Sequence, residues 1–221
     1  MDNLTDRQML ETMIRVTHAV KMAGLRAYVK HGEYKTEDSY RRQVWRIVRE
    51  LFNGEIDEYA FVDDFSGFID NQFTRAWNAG AREMGVNPRQ FTDDDIAYLA
   101  ERIADEQGYM LQLADDIMRA RDEGQSIEQF RARADAYANR YNEMVNEART
   151  YFGGKQMLEW MYGDTEHCED CQRLNGIVAT AQEWHDSGWT PQSRGLQCGG
   201  YHCQCQLLPT DKPPTPGGIP G

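Results

Sequence analysis

All five cysteines of this chain fall within 38 positions, at 168, 171, 198, 203 and 205, and residues 1–167 contain none. Such a distribution splits the chain into a cysteine-free body and a small stapled module. Charge divides with it. Residues 168–221 carry three basic and five acidic side chains, a net of −2, so −10 of the total −12 sits on the first 167 residues. That acidity argues against a general nucleic-acid binder, which needs a basic surface to displace counterions. No apolar run approaches the roughly 18 residues that span a bilayer. The N-terminus, MDNLTDRQML, lacks a basic stretch followed by an apolar block, so a cytosolic chain without a secretory signal is expected.

The body, residues 1–154, reads as an irregular, mainly α assembly. Thr5-Asp6-Arg7-Gln8 fits a capping box, and Met9, Met13, Val16, Val20 and Ala23 follow on one helical face until the pattern stops near Gly32. A second helix is expected from Thr36, turning Tyr40, Val44, Ile47 and Leu51 inward and ending at Asn53-Gly54. Residues 56–62 fit either helix or strand. Helical spacing resumes through Phe65, Ile69, Phe73 and Trp77, and stops at Gly85-Val86-Asn87-Pro88. Thr92 should cap a long helix with Asp93, Asp94 and Asp95 in its first turn and a stripe of Leu99, Ile103, Met110, Leu113 and Ile117.

Ser126 with Gln129 reads as another capping box, and Phe130, Ala134, Tyr137, Tyr141, Met144 and Ala148 form a heptad seam. Such a seam suits either internal packing or self-association. Arg42, Arg46 and Arg49 share a helix face, as a solvated surface balanced by Glu37, Asp38 and Glu50 or as a contact for phosphates or an acidic partner. Residues 209–221 hold five of the seven prolines and are expected to be an extended or disordered tail.

Residues 155–208 carry the chemistry. Cys168-x-x-Cys171 sets two thiolates on one tight turn, and Cys198, Cys203 and Cys205 follow some 30 residues later. That spacing points to a structural, zinc-ribbon-like Zn²⁺ site with Cys168, Cys171, Cys203 and Cys205 as the simplest ligand set. Cys198, His167 and His202 are alternates. Gly199 and Gly200 would let the backbone turn tightly. Disulfides are the alternative staple, disfavoured by the odd count. Redox chemistry would need the Cys-x-x-Cys at a helix start in a βαβ pattern, which the sequence does not suggest.

No catalytic constellation is apparent. A nucleobase deaminase would need His-x-Glu and Pro-Cys-x-x-Cys, and no HExxH, GxSxG or Walker loop occurs. His185-Asp186 reads as turn chemistry and Asp93–Asp95 as helix capping, so a non-enzyme is expected.

The stretch from Trp160 to Leu207 resembles the C-terminal signature of the phage minor head protein family, the head morphogenesis proteins typified by the F protein of phage Mu. The resemblance rests on Trp160, Gly163-Asp164-Thr165-Glu166-His167-Cys168-Glu169-Asp170-Cys171, Leu174-Asn175-Gly176, Trp184, Pro191-Gln192-Ser193 and Cys198 through Leu207. Ala81-Arg82-Glu83-Met84-Gly85 and Ala148-Arg149-Thr150-Tyr151 resemble it more loosely. Many members end in Pro-x-His-Pro-x-Cys-x-Cys. Gly200 stands where that form has His, so no histidine ligand carries over there.

The resemblance implies a structural head protein of a tailed phage or prophage. It would meet the portal or the major capsid protein, support head assembly and DNA packaging, and reside in the host cytoplasm and then the virion. From another class, a zinc-ribbon adaptor binding a host protein or DNA is the alternative; copurification with capsid-sized particles separates the two.

Overall fold

The computed structural model describes residues 37–201 and 203–220, so the helix expected from Thr5 lies outside the described residues. The described chain is mostly helical, with a small sheet and the cysteine cluster at its C-terminal end.

Helix α1 spans Glu37–Phe52 and buries Tyr40, Val44, Ile47 and Leu51, the expected stripe, with Trp45 and Val48 beside it. Gly54 beyond its end takes φ +72°, where glycine carries no Cβ penalty. Arg42, Arg46 and Arg49 lie exposed, and Arg46 pairs with Glu50 at 2.8 Å, one turn on. The ambiguous stretch at 56–62 belongs to helix α2, Glu58–Glu83. Asp57 caps it by accepting from the Ala60 N–H at 2.8 Å, a start signal hidden inside what looks like an apolar run. Its end is a six-to-one turn: the Val86 N–H donates to the Ala81 carbonyl at 2.9 Å with Gly85 at φ +78°.

Thr92 caps helix α3, Asp93–Asp122, in a full capping box: its hydroxyl accepts from the Asp95 N–H, and the Asp95 carboxylate accepts from the Thr92 N–H at 2.7 Å. The expected stripe of Leu99, Ile103, Met110, Leu113 and Ile117 is buried. At Ser126 the structure departs from expectation. Gln129 reaches the Ser126 carbonyl rather than its N–H, and Ile127–Phe130 forms a 3₁₀ turn. Helix α4 follows over Arg131–Gly153. Of its heptad seam, Phe130, Ala134, Tyr137, Met144 and Ala148 are buried in the helical core, while Tyr141 is partly buried against it. α4 packs most closely on α2. Gly80 of α2 leaves no room for a Cβ against the Val145 carbonyl and Ala148, so the seam is filled within the chain.

After Gly154 the chain enters a smaller unit: strand β1 (Met157–Met161), helix α5 (Glu169–Leu174), strand β2 (Val178–Thr180), helix α6 (Ala181–Ser187) and strand β3 (Gln206–Pro209). The strands make one antiparallel sheet in the order β2-β1-β3, with Glu159 opposite Val178 on one side and Leu208 on the other. A second apolar cluster, including Leu158, Trp160, Leu174, Trp184 and Leu207, lies here, separate from the core of α1–α4.

Of the two alternatives expected for the Pro/Gly tail, its described residues 209–220 take the extended one and are tied to the module. The Thr215 N–H donates to the Val178 carbonyl, and the Val178 N–H donates to Thr215 Oγ1, each at 2.8 Å. Lys212 pairs with Glu159 at 2.7 Å, and Ile219 packs on the small core. Proline cannot fill a central strand, but a tail crossing the open edge of β2 needs only occasional donors.

Candidate metal centre

The Cys-x-x-Cys motif sits where β1 gives way to α5. Cys168 is the N-cap of α5 and Cys171 lies in its first turn, so the motif begins a helix after a strand. The sheet is antiparallel, however, so no βαβ unit surrounds it. The second cysteine group arrives on the loop between α6 and β3. Gly199 and Gly200 take φ +60° and +74°, and Gly200 abuts the Gln192 carbonyl so closely that no Cβ would fit. The turn expected from Cys198-Gly199-Gly200 is therefore present. Gln197 ties the loop to α5: its side chain accepts from the Glu169 N–H at 3.0 Å, and its N–H donates to Asp170 at 2.7 Å.

All five cysteines are free thiols and all five converge. Cys168, Cys171 and Cys198 offer sulfurs within 4.8 Å of one another, and so do Cys171, Cys203 and Cys205. The simplest ligand set is therefore divided: Cys171, Cys203 and Cys205 share one group, and Cys168 meets Cys171 and Cys198 in the other. His167 Nδ1 lies 3.7 Å from Cys205 Sγ, with its ring stacked on Tyr162 at 3.7 Å. His202 lies outside the described residues.

The donor set fits a thiophilic cation. Cys171 and Cys203 Sγ are 3.8 Å apart, and four sulfurs at about 2.3 Å from a tetrahedral ion are spaced about 3.8 Å from one another. The protons are unevenly shared. Hydrogen bonds from Cys171 and Cys203 and from the Gly163 N–H pull Cys205 down to about 3, against burial. Burial alone would raise Cys168, but hydrogen bonds from Cys171 and Cys198 outweigh it and lower the thiol. Burial pushes Cys198 up to about 11, and donation toward Cys203 and Cys205 raises Cys171. A cation displacing these protons would meet sulfurs already oriented toward one another.

The surrounding shell is built largely from α4. Asn139 Nδ2 donates to the carbonyls of Gly200 and Tyr201, at 3.2 and 2.5 Å. Asn146 Nδ2 donates to Gln192 Oε1 at 2.8 Å, and Gln192 Nε2 donates to the Cys205 carbonyl. Gln192 is fully buried with φ +64°, an unusual backbone state for a side-chain-bearing residue, and it links the helix to the cysteine loop. Arg149 donates to Glu83 at 2.6 Å, to Asn146 at 2.8 Å and to the Leu207 carbonyl at 3.0 Å. Motif spacing of the kind that flags a ligand says nothing of these supports; among them, only Gln192 and the Glu83 and Arg149 motifs had stood out, through the family resemblance.

His185 and Asp186 lie in helix α6 rather than in the expected turn, and each faces other partners. The imidazole packs on Tyr98 and Tyr151, and Asp186 accepts from Gln182 at 2.8 Å within α6. Asp95 is engaged in helix capping. Comparison of the chain with family models, characterised proteins and solved structures finds no match in any of the three.

Proposed function

We propose that this chain is a structural, non-enzymatic minor head protein of a tailed phage or prophage, whose C-terminal module is stapled by zinc onto a helical body. One observation carries the reading. The residues behind the resemblance serve as mutually dependent structural parts. Trp160 and Trp184 fill the small core with ring centroids 5.7 Å apart, and the Trp184 indole donates to the Leu158 carbonyl at 3.1 Å. Asn175 accepts from the Tyr162 N–H at 3.1 Å, and the Gly176 N–H donates to the Trp160 carbonyl at 2.8 Å. The Glu83–Arg149 ion pair joins the two looser motifs.

Zinc is the favoured ion because sulfur donors at tetrahedral spacing suit a borderline-soft cation without redox chemistry. No helix among the described residues is long and apolar enough to cross a membrane. In this reading the protein docks at the portal or major capsid protein in the host cytoplasm and enters the virion. Copurification with portal-containing particles tests the assembly role; a protein never found with such particles overturns it. Metal analysis under reducing conditions tests the staple: no zinc with the module still folded overturns that part.

A further inference from the structure

The cysteine sulfurs form two triangles, Cys168-Cys171-Cys198 and Cys171-Cys203-Cys205, rather than one tetrahedron. One tetrahedral ion would bring its four donors to a common spacing of about 3.8 Å. Two triangles that share a corner are the arrangement of two ions that share a ligand. Cys171 is the shared corner, is buried, and is fixed in the first turn of α5. We propose that the module holds a binuclear centre in which the Cys171 thiolate bridges two divalent cations of the zinc class.

Three sulfurs are present for each ion. The inner ion takes Cys171, Cys203 and Cys205, all buried. His167 Nδ1 approaches Cys205 Sγ at 3.7 Å and stands outside the Cys171-Cys203-Cys205 group. The outer ion takes Cys168, Cys171 and Cys198; Cys168 and Cys198 are only half-buried, so its fourth position opens to solvent water. The role expected for Cys198 changes accordingly, from an alternate to a ligand of the outer ion.

This proposal rests on the metal-stapled reading above, and stoichiometry separates the two. Native mass spectrometry of the full chain, purified reduced with zinc, should give two ions per chain, the outer one leaving first to a weak chelator. Cadmium-113 NMR of the cadmium form should show two resonances coupled through the shared sulfur. Cys198→Ser should retain one ion and the fold, and Cys171→Ser should lose both ions. One ion per chain with a single cadmium resonance overturns the binuclear centre and leaves the staple standing. No bound ion overturns both.

Discussion

The two parts of the molecule differ in the size of their cores and in where their cysteines lie. The body of α1–α4 buries a broad apolar cluster from Tyr40 to Ala148, with ring stacking around Trp77, Tyr98, Tyr151 and Phe152. Its stability comes from area removed from water and from packing. The module has a short sheet, two helices of six and seven residues and a cluster to which Cys171, Cys203 and Cys205 themselves contribute. A core that small rarely suffices alone. On the proposed reading, ligation at the cysteine cluster replaces the missing hydrophobic area, but only while an ion is bound.

Removing the metal should therefore have the largest effect and divide the two regions. Structural zinc is worth about 10–16 kcal/mol in isolated finger peptides, more than a small core supplies. Chelation should abolish hydrogen-exchange protection over residues 157–209 while α2 and α3 stay protected; equal loss in both regions would break the distinction. The reciprocal test is Trp77→Ala. Trp77 is fully buried, and its truncation should cost about 3–5 kcal/mol, read as a lowered denaturation midpoint. Metal content should be nearly unchanged under native conditions.

The regions are distinct but joined through α4, and Arg149 is the joint that best tests the coupling. It bonds Glu83 on α2, Asn146 on its own helix and the Leu207 carbonyl on β3, whose N–H in turn donates to Asn146 at 2.9 Å. These contacts also close the outer edge of β3, as the tail closes that of β2. Arg149→Ala leaves a buried carbonyl without its donor and should cost about 2–3 kcal/mol. One calorimetric transition in the metal-loaded wild type should become two in the variant. A single transition in both would show that the coupling runs elsewhere.

Features carried by local spacing were legible in the sequence. The stripes of α1 and α3, the Thr92 cap and the Gly85 stop each depend on side chains within a turn or two of one another. Gathering of the cysteines was legible for the same reason, because their clustering along the chain limits the loops needed to bring them together. What escaped depends on distant partners. The tail is ordered by the free edge of β2, which its composition cannot reveal. Cys198 meets Cys168 only because Gln197 pins the loop to α5. Gln192 looks like loop chemistry until Asn146 and the Cys205 carbonyl are placed around its amide. Ser126 shows the local limit: a matching capping-box pattern took the 3₁₀ alternative.

The smallest expected effect distinguishes the regions by pH. Burial raises Glu143 of α4 to about 7, against the pull of Arg140 and Arg102 and with the push of Glu147 and Glu106. Its folded pKa thus exceeds the ordinary carboxylate value, and the folded state binds more protons than the unfolded chain between pH ~4.5 and ~7. Stability of the body should fall as pH rises through that window, by about 1–3 kcal/mol, because an ionised Glu143 must be held in a desolvated site. The module should respond oppositely: thiols lose protons on ligation, so metal binding strengthens as pH rises. Denaturant melts of the metal-loaded chain, followed by helical circular dichroism, should show the decline in wild type and a flatter profile in Glu143→Gln. Parallel profiles would assign the pH dependence to other groups, while metal affinity measured over the same range would still separate module from body by its sign.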